Sequence, residues 1–237
     1  DVKPMEEYAK AAKEENLLNW VGMENDDDFG NILAVNSKTV RIIKPFADHD
    51  IILHQIAFAE QHGAIAVGID IDHIAGTNGK YDVVDGYSMG PITLKDLKTI
   101  VEKTRLPFVA KGVLSVSDAL KAREAGCKAI VVSHHHGRIP FGIPPAYALP
   151  KIKDALAGSD IKIFADCGIE SGYDAYKLLA LGADAVSAGR AILSPLLKEG
   201  KDGVIKQIKK MYAELSELMM YTGIKDTRTF DANVLHY

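Results

Sequence analysis

The chain of 237 residues contains only two cysteines, Cys127 and Cys167, and no Cys-x-x-Cys spacing. This argues against a cysteine-based zinc site and suits a reducing cytoplasm. No apolar run approaches the roughly 18 residues that would suggest a bilayer span, and no secretory leader is recognisable. The net charge of −4 gives no electrostatic case for nucleic acid or an anionic membrane as partner. No Pro- or Ser-rich linker divides the chain, so residues 1–237 read as one domain. Against these absences stands an ordinary globular balance, 47% hydrophobic and 25% charged, in a length close to that of one barrel domain.

One pattern recurs. Residues 59–70 read AEQHGAIAVGID, residues 122–134 read AREAGCKAIVVSH, and residues 178–190 read LLALGADAVSAGR. Each is the end of an amphipathic helix, a glycine suited to a left-handed cap, and then a short apolar run. Repeated helix–Gly–strand units indicate a parallel sheet. Seven strands are predicted: Leu18–Met23, Val40–Pro45, Ala64–Ile71, Phe108–Lys111, Ala129–His134, Lys162–Asp166 and Ala185–Ala188. Several are apolar throughout, as strands buried on both faces should be.

Helices fall between them. Pro4–Asn16 opens the chain, and Asp48, Thr93 (with Asp96) and Ser117 are candidate caps. A helix followed by seven strands is a (β/α)8 TIM barrel whose first strand is missing; an open parallel sheet is the rival. Polar residues at nearly every C-terminal strand end favour the barrel, because barrel active sites lie there. The opening residue, Asp1 rather than Met, agrees with an N-terminally incomplete barrel. Asn25–Asp28 reads as an acidic turn, and Ile74–Gly90 as a long loop able to act as a lid.

The sharpest motif is Val131–Arg138, VVSHHHGR, at the end of a buried strand. Histidine exchanges a proton near neutral pH, and arginine clamps a carboxylate with two parallel hydrogen bonds. His135 and Arg138 together could position a 2-hydroxy acid and take its proton; the bland alternative is a solvated histidine loop. His134 and His136 would share a side in extended chain, with Asp70, Asp72 and Asp166 at other strand ends. No helical histidine pair supports a metal, and none is expected.

Lys111, in Pro107–Gly112 (PFVAKG), points into the barrel mouth, where it could stabilise an anion, or else is a rim lysine. Ala165–Gly172 (ADCGIESG) and Ala188–Arg190 (AGR) follow the last two strands, where glycine turns commonly hold a phosphate. Tight structural turns are the alternative. Trp20, Met23, Tyr212 and Met219–Tyr221 read as packing residues, and Cys167 as a small buried thiol.

In the order Lys-Gly, Ser-x-His-x-Gly-Arg, Asp-x-Gly and Gly-Arg, these segments resemble the FMN-dependent 2-hydroxy-acid oxidase and dehydrogenase family (glycolate oxidase, lactate oxidase). The resemblance runs from roughly Val40 to Ile224. It implies FMN as cofactor, His135 as catalytic base, Asp72 as the aspartate that holds it, and Arg138 as the substrate-carboxylate clamp. Lys111 and Ser133 would contact the flavin, and Asp166, Gly168, Gly189 and Arg190 its ribityl-phosphate side. The chain departs from the family pattern at several places. Ile42 and Lys44 replace a Gln-x-Tyr, Asp70 stands for a threonine, His134 and His136 replace an asparagine and a glycine, and Glu170 takes the place of an arginine.

The expected activity is FMN-dependent oxidation of a small 2-hydroxy acid to a 2-keto acid, in a cytoplasmic homo-oligomer. Two alternatives stay open. One is an FMN-dependent isomerase similar to type 2 isopentenyl diphosphate isomerases, with Arg41 and Lys44 as cations for a diphosphate. The other is a barrel that has lost flavin chemistry.

Overall fold

A computed structural model describes residues 3–76 and 79–236. Helix α1 (Pro4–Glu14) leads into β1 (Leu18–Val21), α2 (Asp26–Ala34), β2 (Lys38–Ile43), α3 (His49–Gln61) and β3 (Ala66–Asp70). A small hairpin, β4 (Val83–Val84) and β5 (Tyr87–Ser88), follows within the long loop. Then come α4 (Leu94–Val101), β6 (Phe108–Val113), α5 (Val116–Glu124), β7 (Ala129–Val132), α6 (Pro145–Ala155), β8 (Lys162–Ala165), α7 (Gly172–Ala180), β9 (Ala185–Val186) and α8 (Arg190–Thr222).

The seven long-range strands pair in parallel in the order β1-β2-β3-β6-β7-β8-β9. All seven predicted strands are present, and the sheet curls as a barrel does while β1 and β9 stay unpaired with each other. Trp20 of β1 meets Phe164 of β8 edge-on at 5.3 Å, across the interior. Between β1 and β9 lies an apolar cavity of about 690 Å³, lined by Leu18, Trp20, Phe164, Val186 and side chains of α1 and α8. This is the place of the missing strand.

Side-chain alternation along the strands divides the core into two layers. Val40, Ile42, Ala66, Val109, Ala129 and Val131 fill the barrel interior with Trp20 and Phe164. Ile43, Val67, Ile69, Phe108, Ile130 and Ile163 face outward into the layer under the helices. Across the open edge, Ala11 of α1 packs with Leu196, Val204 and Ile205 of α8.

Three local readings need correction. Asn25–Asp28 is the start of α2 rather than a turn: Asn25 caps it by accepting from the Asp28 N–H, and Asp26–Asp28 crowd its first turn, where the helix dipole favours carboxylates. Ser115, not Ser117, caps α5 by accepting from the Asp118 N–H, because β6 ends just before it. Met220 and Tyr221 face solvent rather than the barrel. Thr93 and Asp96 form the expected capping box.

α7 and α8 touch through backbone. A Cβ added at Gly172 would fall 1.9 Å from the Met211 carbonyl oxygen and 2.5 Å from the Leu215 nitrogen. Gly172→Ala must therefore push α7 off α8, and a loss of about 1–3 kcal/mol is expected in urea denaturation; unchanged stability would show that the helices separate freely.

Candidate active site

The same alternation that fills the interior carries a polar layer at its C-terminal mouth. Lys44 follows Ile42 on the inward face, Asp70 follows Gly68, Lys111 follows Val109, Ser133 follows Val131, and Asp166 follows Phe164. Parallel register sets Asp70 beside Lys111. Lys44 Nζ lies 2.6 Å from Asp70 Oδ2, and Lys111 Nζ lies 3.0 Å from Oδ1 and 3.8 Å from Asp166. Burial alone would push the Asp70 carboxyl up, but Lys111 and Lys44, helped by His135, outweigh it and hold it below the usual range. Burial likewise opposes the Lys111 charge, and Asp70, Asp166 and Asp72 more than restore it.

His135 reaches this layer from the loop after β7. His135, His136 and Gly137 all have left-handed backbone, with φ of 52°, 54° and 85°. The chain thus turns sharply, and the shared side that extended geometry gives His134 and His136 is lost. His135 Nδ1 lies 3.1 Å from Asp72 Oδ1, and its backbone N–H donates to Ser133 Oγ at 3.1 Å. His134 Nδ1 accepts from the Gly137 N–H and closes the turn. Asp72 gains its place through Gly112, whose φ is +96°; a Cβ there would lie 2.3 Å from the Asp72 carboxyl carbon.

Arg138 lies on the same rim, but its guanidinium already holds a carboxylate, that of Asp82 in the long loop, and also donates to the Ala75 carbonyl. Asp82 accepts from His73 Nε2 at 2.7 Å as well. Burial holds His73 below its ordinary pKa despite Asp82. Neither His73 nor Asp82 is singled out by the sequence reading. The polar cluster Asp70-x-Asp72-His73 at a strand end was the available signal.

On the proposed phosphate side, Gly168 and Gly189 leave open space where a side chain would stand, and Arg190, exposed, begins α8. Gly189 caps that helix without a side-chain hydrogen bond; the Ile192 N–H donates to the Gly189 carbonyl, and the Arg190 and Ala191 N–H groups before it are the ones that could meet an anion. Glu170 faces solvent nearby. Cys167 is half-buried rather than fully buried. Its Sγ donates to Asp166 Oδ1 at 2.9 Å and accepts from the His136 N–H, and burial together with Asp166 pushes the thiol up, away from thiolate chemistry. Met23 is exposed beyond the end of β1.

Arg41 takes no part in the mouth. It faces outward, buried, 2.7 Å from Asp26 and over the Phe29 ring. With Arg41 tied to Asp26 and Lys44 to Asp70, the cations invoked for a diphosphate are both neutralised.

The parallel sheet with a polar mouth at its C-terminal end makes this a (β/α)8-type barrel lacking one strand, the architecture that carries its chemistry on that face. The chain belongs to the FMN-dependent dehydrogenase family, whose pattern matches residues 75–237. It is 38% identical over 164 residues to an L-lactate dehydrogenase of Pectobacterium atrosepticum, covering 66% of this chain and 42% of that protein. It is 44% identical over 135 residues to an L-lactate dehydrogenase of Pseudomonas putida, covering 56% of this chain and 35% of the relative. The chain thus spans less than half the length of these curated relatives. Among solved structures it is similar to mandelate oxidase with 3,3-difluoro-2-hydroxy-3-phenylpropionic acid, with a TM-score of 0.84 and 27% identity over 94% of this chain and 70% of that one. A mandelate oxidase variant with a monooxide FMN adduct is similar at a TM-score of 0.83 and 28% identity. Among the described residues no helix is long and apolar enough to cross a membrane.

Asp70 lends itself to a test by pH. Its depressed carboxyl contributes stability that is complete above the unfolded carboxyl pKa, about 3.9, and is lost as pH falls through the lower folded value. Asp70→Asn strands the buried Lys44 ammonium and leaves Lys111 with Asp166 alone at 3.8 Å, and is expected to cost about 3 kcal/mol at pH 7. The gap to the parent should close as the pH falls below about 4, measured by urea denaturation across a pH series. A gap that did not depend on pH would remove the ion pairs from the account.

Proposed function

We propose that this chain oxidises a small 2-hydroxy acid to the 2-keto acid with FMN as electron acceptor. The observation that carries the reading is the His135–Asp72 pair, 3.1 Å apart at the mouth of the barrel. A carboxylate can only accept, so Asp72 favours the proton on Nδ1 and leaves Nε2 free to take one from substrate. Arg138 would bind the substrate carboxylate in the fork that now holds Asp82, and the incoming acid has to displace that side chain or share the guanidinium with it. Lys111 and Ser133 would face the flavin. Asp166, Gly168, Gly189 and Arg190 would hold its ribityl-phosphate side, where open backbone and a helix start fit an anion.

Bound FMN would supply a two-electron acceptor for the electrons leaving the substrate carbon. The residues of this chain orient the acid, take one proton at His135 Nε2, and keep compensating charge near the ring through Lys111. Because Asp70 and Asp166 already flank Lys111, that compensation is partly spent within the protein. The names of the similar proteins, L-lactate dehydrogenase and mandelate oxidase, support a hydroxy acid as substrate. Cytoplasmic residence and homo-oligomerisation belong to the same reading. The free thiols support the first, and the exposed apolar side chains of Phe141, Ile143 and Tyr147 the second.

His135→Gln should slow flavin reduction by lactate or mandelate by at least about 10²-fold, the low end for a positioned base. Arg138→Lys should mainly weaken binding, because a point charge cannot reproduce the planar fork. Stopped-flow flavin bleaching checks both, and a parent protein bleached by no 2-hydroxy acid would overturn the assignment. Glu170→Arg should tighten FMN by replacing a carboxylate with a cation at the phosphate side; fluorescence titration showing unchanged affinity would place Glu170 away from the phosphate.

A further inference from the structure

Around His135 the structure gathers more lone pairs than donors. His73 is 5% exposed and stands edge-on to His135, ring centroids 5.5 Å apart. Its Nε2 faces the Asp82 carboxylate, which can only accept, so the proton sits on Nε2 and Nδ1 is a bare lone pair. That Nδ1 is buried and has no hydrogen-bond partner among the described residues. The same holds for Asp72 Oδ2, and Asp70 Oδ1 has the Lys111 ammonium at 3.0 Å and His135 Nδ1 at 3.8 Å, neither with hydrogen-bond geometry. Buried acceptors without donors are costly, and a cation relieves them.

One ligating atom from each of Asp70, His73 and His135 lies within 4.8 Å of the other two. We propose that Asp70, His73 and His135 form a binding site for a divalent transition-metal ion of the zinc type. Two imidazoles and one carboxylate are a donor set such ions take, with an open position left for water or an anion. Donors around a tetrahedral zinc lie roughly 3.3 Å apart, given bonds of about 2.0–2.1 Å, so separations of up to 4.8 Å must shorten by up to about 1.5 Å. Asp82 would hold the His73 ring from behind, the arrangement that commonly orients metal-bound histidine, while His135 Nδ1, 3.1 Å from Asp72 and 3.8 Å from Asp70, would exchange the Asp72 contact for the ion.

The local charge tolerates the ion. Four carboxylates (Asp70, Asp72, Asp82 and Asp166) stand against three fixed cations, Lys44, Lys111 and Arg138. Lys111 would yield Asp70 Oδ1 to the metal and turn to Asp166, now 3.8 Å away. Lys44 would stay on the other oxygen. Metal binding itself does not depend on the proposed activity. One consequence does rest on it: an ion on His135 Nδ1 would put the ring's proton on Nε2, which could then not take one from substrate, and turnover would be inhibited.

The test is calorimetric titration of the flavin-free chain with zinc chloride, and with cobalt chloride for its visible absorption. Saturable binding of one ion is expected, with a cobalt spectrum of nitrogen and oxygen ligation. His73→Gln should abolish it. Asp82→Asn should weaken it by about 10-fold or more, as loss of a group orienting a metal-bound histidine does. A His136→Gly variant, which keeps the left-handed backbone and the His134 contact, should bind as the parent does. Absence of saturable binding would overturn the site, as would binding that survives His73→Gln or vanishes in His136→Gly. Should His73→Gln fail to fold, Asp82→Asn decides, because it alters ring orientation without touching a ligand; unweakened binding there overturns the site. None of these readouts needs flavin or substrate, so failure of the metal site and failure of the oxidase reading remain separable.

Discussion

Asp70 is a carboxylate with almost no access to water, held between two ammonium groups delivered by the strands on either side of its own. A single buried charge of either sign would be forced to neutralise or to unfold its surroundings; three in a row, alternating in sign, need not. The row exists only while β2, β3 and β6 keep their parallel register, since a slip of one residue would turn each of these side chains to the outer face. The polar mouth and the apolar interior are thus one constraint. Ile42, Gly68 and Val109 pack below, and Lys44, Asp70 and Lys111 stand directly above them.

The rest of the site hangs on that row. Asp72 passes over Gly112 to meet His135, and His135 in turn lies 3.8 Å from Asp70. The loop carrying His135 is bent by consecutive left-handed residues, a costly geometry for side chains larger than glycine. Its tip is fastened by His134 to the Gly137 N–H and by Cys167 to the His136 N–H. Three of the residues that differ from the family pattern are therefore built into the architecture: Lys44 and Asp70 as an ion pair, and His134 as the acceptor that closes the turn carrying His135.

The open edge of the barrel imposes a second constraint. Among the described residues β1 and β9 each lack a neighbour on one side, and α1 and α8 cover the gap from outside while apolar side chains line it within. A (β/α)8 barrel normally closes so that no edge remains. Here the curvature persists without closure, because Trp20 and Phe164 meet across the interior and α1 packs on α8.

Much of this was legible in the sequence, and the physical reason is periodicity. Parallel strands buried on both faces are short apolar runs, so all seven could be found, and their polar C-terminal residues marked the mouth. Capping chemistry is local, so Asp48 and the Thr93–Asp96 box were readable, although the cap of α5 shifted by two residues and the acidic stretch before α2 hid a helix start. The His135–Arg138 motif could be read because its residues are adjacent in the chain. Partners were another matter. That Asp82 would hold both Arg138 and His73, that Arg41 would turn outward to Asp26 while Lys44 turned inward to Asp70, and that Asp70, His73 and His135 would bring ligating atoms within 4.8 Å of one another all depend on how strands and loops distant in sequence are brought together. Charge alone does not choose among possible partners. Distance and burial choose, and both are properties of the folded chain.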